Sequence, residues 1–160
     1  MTSPIATEQP NADISTTKNH ALGTVCTAVD PTYGGGEFIY LQGIGSTVAG
    51  SIVTFDAATF LTALAPATAN VSAPVAIAMS ANVASSYGWY QIAGNAVAAK
   101  NGTVSLAARQ AVGVQTAGVL NSSITGQNVD GAVVQAAATT ATTSVVVTIN
   151  RPHMQGRGTS

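Results

Sequence analysis

The sequence predicts an all-β fold, a small single-domain β-barrel or jelly-roll-like sandwich with an extended N-terminal arm. Three observations point there. Short runs rich in Val, Ile, Thr, Phe and Tyr recur between turn signals every 8 to 12 residues or so. Pro74-Val75-Ala76-Ile77-Ala78-Met79 places Val75, Ile77 and Met79 on one face at a period of two. Thr143-Ser144-Val145-Val146-Val147-Thr148-Ile149 is an almost unbroken series of β-formers.

The elements follow in order. Residues 1–36 hold Pro4, Pro10 and Pro31, show no sustained period and end in Gly34-Gly35-Gly36, which reads as a flexible joint. Two readings fit this composition: a disordered leader, or an extended arm that orders on a partner. Residues 37–152 form the β-domain. Glu37–Leu41 opens it, Gly43–Ser46 turns, and Ser51–Phe55 returns. Phe60, Leu61 and Leu64 then predict one short helical turn between Ala57 and Leu64. After the strand at Pro74–Met79, Ser85-Ser86 marks a turn. Tyr87–Ala99 follows as a long strand, with Trp89 on one face and Tyr90 and Ile92 on the other. Asn101-Gly102 is a strong turn, because both residues tolerate positive φ. Further strands are expected from Val104 to Ala107, Ala111 to Gln115 and Ala132 to Ala137, the last with some helical character. Arg151-Pro152 ends the final strand, since proline cannot donate to the ladder. Residues 153–160 are a flexible polar tail.

Charge narrows the function. Only 11 of the 160 residues are charged, 7% against roughly 25% in an ordinary soluble domain, and the net charge is -1. No cluster of Lys and Arg exists to neutralise phosphates, so no nucleic-acid partner is expected. Cys26 has no second cysteine to pair with and reads as a small buried, reduced thiol. The N-terminal residues lack the basic and apolar regions of a secretory signal. Residues 57–99 carry no charge, but Pro66, Pro74, Gly88 and Gly94 interrupt them, and no run of about 20 apolar residues appears. Eight aromatics do not furnish the two girdles of a membrane barrel, so no membrane partner is expected. Leu, Ile, Val and Phe total 36, so the core is built of small residues. Such a core favours burial of further surface by association.

Reactive constellations are missing. His20 and His153 both fall in the predicted flexible ends, away from any positioned nucleophile. Cys26 and two distant histidines do not make a zinc site, and Asp13, Asp30, Glu37, Asp56 and Asp130 lack calcium-loop spacing. Glu37 and Asp56 could meet across a hairpin as a glycosidase pair, although strand ends carry such residues routinely. Gly34-Gly35-Gly36 lacks the Lys and Ser/Thr of a phosphate loop. No catalytic residue, metal or cofactor is therefore expected, and the chain does not read as an enzyme. The positive signal is aromatic and apolar. Phe38, Tyr40, Phe55, Tyr87, Trp89, Tyr90 and Ile92 are the candidate anchors of a core or an interface.

Glu37-Phe38-Ile39-Tyr40-Leu41, Val53-Thr54-Phe55, Pro74–Met79, Tyr87-Gly88-Trp89-Tyr90-Gln91-Ile92 and the closing Ile149-x-Arg151-Pro152 resemble small proteins of tailed bacteriophages. These are the capsid decoration, or cement, proteins. The resemblance spans about residues 37–152, with Tyr87–Ile92 its most specific part. It implies a β-rich structural virion protein that docks on the outer face of an icosahedral capsid and bridges subunits of the major capsid protein. It also implies a homo-oligomer, a trimer or a dimer, made in the host cytoplasm and carried on the capsid exterior. A tail, fibre or carbohydrate-binding β module is the alternative and needs an exposed aromatic patch. A small hydrolase is a third possibility and needs a titratable group in a pocket.

Overall fold

Tyr87–Ala99 forms the spine of the fold in a computed structural model that describes residues 13–82 and 84–156. Ten strands are present among the described residues, and no helix. They are β1 (Val25–Asp30), β2 (Gly34–Gln42), β3 (Ile52–Phe55), β4 (Thr62–Leu64), β5 (Val75–Ala78), β6 (Tyr87–Ala99), β7 (Ala111–Thr116), β8 (Val119–Ser122), β9 (Asn128–Val134) and β10 (Ser144–Met154). All their pairings are antiparallel. The sheet runs β4-β3-β5-β6-β10-β9-β7-β8, with the β1–β2 hairpin joined to β6 through β2. Ile52 N–H donates to Gly118 O, and Gly118 N–H to Ala65 O, both at 2.9 Å. Asn101 N–H donates to Leu120 O at 3.0 Å. These bonds draw the β7–β8 end back toward β3 and the end of β6, and the sheet curls into a half-barrel. The all-β prediction holds.

β6 serves several partners because it is long and locally broken. β2 pairs with Tyr87–Gly94, β5 with Tyr90 and Gln91, and β10 with Ala93–Ala99. The β2–β6 register shifts between Glu37 and Phe38. Beside that shift the buried Gln91 amide donates to Ala93 O and Asn95 O, both at 3.0 Å, so the carbonyls freed by the irregularity stay satisfied. Gly94 faces both Gly36 and Ile149 at φ +98, a conformation that disfavours any Cβ.

The core has three parts. The largest lies within the half-barrel and is aliphatic: Ile52, Ile77, Val112, Val114, Leu120, Val134, Val145, Val147 and Ile149 are among its members, and it holds no aromatic ring. A second cluster joins Ile39, Leu41, Val53, Tyr90 and Ile92, with Phe55 and Phe60 packed on it. The third holds Cys26, Phe38, Tyr40 and Trp89, flanked by Leu22, Met79 and Tyr87. The facing of β6 is as expected, with Trp89 opposite Tyr90 and Ile92. Met79 departs from Val75 and Ile77, since it lies just past β5 and packs on the aromatic cluster.

Several expectations are corrected. Ala57–Leu64 is not helical. The Asp56 carboxylate accepts from the N–H groups of Ala58 (2.8 Å) and Thr59 (2.7 Å), closing an Asx turn, and Thr62–Leu64 then pairs with β3. Val104–Ala107 is not a strand; Leu106 forms a single bridge with Ala138. The sheet starts at Val25 rather than Glu37, and Gly34-Gly35-Gly36 is the start of β2, paired with Ala28, Val29 and Asp30. Small glycines let the two strands of that hairpin turn tightly. Pro152 does not stop β10, which runs to Met154. The β9 ladder shifts between Ile149 and His153, so Pro152 falls where no donor is required. The remaining parts of the predicted arm and tail, residues 1–12 and 157–160, lie outside the described residues.

Candidate interaction surface

The large candidate anchors are built into the interior. Phe38, Tyr40, Trp89 and Tyr90 have no exposed surface, and Ile92 is buried beside Tyr90. Phe55 and Tyr87 are half-buried at the margins of the two aromatic-bearing clusters. Alternation explains the division. Phe38 and Tyr40 share one face of β2 and meet Trp89, while Ile39 and Leu41 point the other way and meet Tyr90. Tyr40 and Trp89 lie 5.1 Å apart between ring centroids.

His20 is the residue least legible beforehand. Its ring packs edge-on to Tyr40 at 5.1 Å and tilted against Trp89 at 5.3 Å. Its Nε2 is buried without a hydrogen-bond partner. The described residues before β1 are therefore laid over the aromatic cluster, where the composition of residues 1–36 left open a disordered leader or an extended arm. Ser15 pairs with Tyr87, and Asn19 N–H donates to the Tyr40 hydroxyl at 3.3 Å.

Titratable groups are held for structure. Backbone N–H groups of Thr32 and Tyr33 pull the Asp30 carboxyl below its ordinary range, and those of Thr59 and Ala58 do the same for Asp56. Burial pushes the Tyr90 and Tyr40 hydroxyls up. Glu37 and Asp56 serve separate tasks: Glu37 Oε2 pairs with Arg151 Nη2 at 3.1 Å on an exposed rim, and Asp56 closes its turn. His153 stands 3.9 Å from Asp130, also exposed. Lys100 is buried, and its Nζ donates to Asn101 O (2.8 Å) and Val104 O (2.6 Å). That ammonium satisfies the carbonyls of an irregular loop. Cys26 is buried in the aromatic cluster, as its apolar neighbours predicted. No group of three potential metal ligands occurs among the described residues. No helix there is long and apolar enough to cross a membrane.

The exposed apolar surface is aliphatic apart from Tyr33. Val29, Val48, Leu61, Val97, Ile124 and Val133 are all exposed. A slot of about 260 Å³ opens beside the second core cluster, lined by Val25, Ile39, Phe55, Pro74 and Ile92 and rimmed by Arg151. A shallower hollow of about 410 Å³ lies over Thr27, Gly35, Gly36 and Gly94, where missing side chains leave backbone open. Surfaces of this kind bind by shape and desolvation. Neither a scan against protein-family models nor a search of curated proteins returns a match to this chain.

Proposed function

We propose that this chain is a structural virion protein that binds the outer surface of an icosahedral phage capsid and stabilises the shell by bridging major capsid protein subunits. The observation that carries the reading is a surface of exposed valines and leucine on an all-β scaffold in which Asp56, Lys100 and the Glu37–Arg151 pair are turned to structural use. A packing protein needs such a surface. Apolar contact supplies adhesion at about 25 cal/mol per Å². The scarcity of charge keeps repulsion small between copies crowded on one shell. The resemblance of Tyr87–Ile92 to decoration proteins points the same way. A carbohydrate-binding module would use a patch of exposed aromatic rings; Trp89 presents none, and among the described Phe, Tyr and Trp residues Tyr33 is the one exposed ring.

The mechanism is mechanical. Each docked copy spans neighbouring subunits, and rupture of the shell must first expose the surface the copy covers. The test is the copy number of this chain on purified particles, measured beside the major capsid protein. Comparable stoichiometry, with particles lacking the chain rupturing at lower temperature, is the expected result. Absence from particles, or only a few copies each, refutes the reading.

A further inference from the structure

The turn of the β1–β2 hairpin is tied to the middle of β6, where Asn95 Nδ2 donates to Tyr33 O at 3.4 Å. Between this turn and the one at Gly50 lies a cleft of about 200 Å³, lined by Asp30, Tyr33, Gly50, Met79, Gln91 and Asn95 among others. Asp30 Oδ1 accepts from the N–H groups of Thr32 (2.7 Å) and Tyr33 (3.0 Å), an Asx turn that fixes the carboxyl at the edge of the cleft. Those donors hold the carboxyl below its ordinary range, so it is ionised at neutral pH. No Lys, Arg or His lines the cleft, and among the described residues no cation pairs with Asp30. Tyr33 supplies the one exposed ring among the described Phe, Tyr and Trp residues, and Met79 adds a thioether.

From this cleft we infer a binding site for an alkylammonium group, with the ammonium on Asp30 and its apolar carbons against Tyr33 and Met79. Charge and lining select the ligand. An anion meets a carboxylate that no cation offsets. The amide nitrogens of Gln91 and Asn95 already donate to the carbonyls of Ala93, Asn95 and Tyr33, so they are spent on the fold and not on an anion. A neutral apolar ligand would cover the carboxylate without pairing it, which costs binding energy. Calcium takes at least about six oxygen ligands, most of them from clustered carboxylates, and one carboxylate does not supply them. An organic cation uses every part of the lining. Its charge pairs with Asp30, the Tyr33 ring attracts it through its π-face, and the thioether of Met79 packs against its stem. A lysine side chain on a docked protein and a free polyamine carry this same group. The site goes beyond the capsid role and stands whether or not that role does.

Solvent sets the strength. Tyr33 is 36% exposed, so water screens both the ion pair and the attraction of the cation to the ring. A single alkylammonium group therefore binds weakly, with a dissociation constant on the order of 10 mM. A lysine presented by a larger docked surface would meet the cleft at far higher effective concentration.

Titration of the full chain with Nα-acetyl-lysine methylamide, followed by nuclear magnetic resonance, tests the site in the absence of any capsid. Saturable shifts at the backbone amides of Tyr33 and Gly50 and at the Asn95 side chain are expected, with a dissociation constant between about 1 and about 30 mM. Nα-acetyl-norleucine methylamide, the same body without the ammonium, should leave those signals in place. Asp30→Asn keeps the turn acceptor and should weaken binding at least about fivefold, and Tyr33→Leu at least about threefold. Both variants should melt close to the wild type, because each changes a side chain at the surface. Spermidine separates the two sources: binding less than about tenfold tighter than the lysine probe assigns the cleft to a side chain, and tighter binding assigns it to a free polyamine. No saturable shift below about 100 mM, equal shifts with the norleucine probe, or unchanged affinity in folded Asp30→Asn or Tyr33→Leu would overturn the assignment.

Discussion

Gly94→Ala tests the point on which the two halves of the sheet turn. Gly94 pairs with Gly36 of β2 and Ile149 of β10, at φ +98. A Cβ there would collide with Gly35 O and sit 3.0 Å from Gly36 Cα. Both obstacles are backbone, so no rotamer change relieves them. The backbone conformation costs a non-glycine residue about 1–3 kcal/mol. Displacing β2 weakens the neighbouring Gly36–Gly94 and Glu37–Ala93 pairings, at about 1 kcal/mol for each hydrogen bond lost. The sum is about 3–5 kcal/mol, a large part of the roughly 5–15 kcal/mol that holds a domain folded. At about 2–4 °C per kcal/mol for a chain of this size, the melting temperature falls by roughly 6–20 °C. Thermal unfolding followed by far-ultraviolet circular dichroism measures it. Gly45→Ala is the control: nothing lies within 4 Å of its added methyl, and the change should stay within about 1 kcal/mol. If Gly94→Ala melts within about 2 °C of wild type, the β2–β6–β10 junction is not as described.

Three further outcomes follow from the core and the titrating groups. Trp89→Ala, which empties the centre of the aromatic cluster, should cost about 3–5 kcal/mol in denaturant unfolding; a loss under about 1 kcal/mol would mean the ring is not buried. Burial raises the Tyr90 hydroxyl above its unfolded value, so its contribution is whole below about pH 10 and fades as pH rises through the folded value. Tyr90→Phe should therefore flatten the alkaline fall in melting temperature, while the unpaired Asn82 Nδ2, now 3.0 Å from the hydroxyl, costs about 1–3 kcal/mol at neutral pH. Asp30 and Asp56 titrate below their unfolded values, so their contribution is present above about pH 4 and is lost as pH falls through the folded values. The double variant Asp30→Asn/Asp56→Asn keeps the turn acceptors but cannot take up those protons; it should lose less melting temperature between neutral pH and acid, and an unchanged acid slope would contradict the assigned turns.

Local pattern carried much of the fold. Val145, Val147 and Ile149 alternate with Ser144 and Thr148, and the Tyr87–Ala99 strand and Asn101-Gly102 turn were readable from residue type alone. What local pattern missed depended on side chains competing for backbone groups or on distant partners. Phe60, Leu61 and Leu64 have helical spacing, but the Asp56 carboxylate takes the N–H groups that begin a turn instead. Three glycines look like a joint until Ala28, Val29 and Asp30 pair with them. His20 gains its place only from Tyr40 and Trp89, 20 and 69 positions further on. One outward row of the sheet was hidden for the same reason. Asn95, Ala111, Val133 and Thr148 become neighbours through the register of four strands.

The division of the core has an energetic consequence. Phe38, Tyr40, Trp89 and Tyr90, the large fully buried rings, lie on β2 and the first half of β6. The half-barrel beneath β7, β9 and β10 is filled by Val, Ala, Ile, Leu and Met, which bury less area per residue. β7–β9 should therefore open more readily than β2–β6, and amide hydrogen exchange should show the gradient. Equal protection across the sheet would contradict the core gradient.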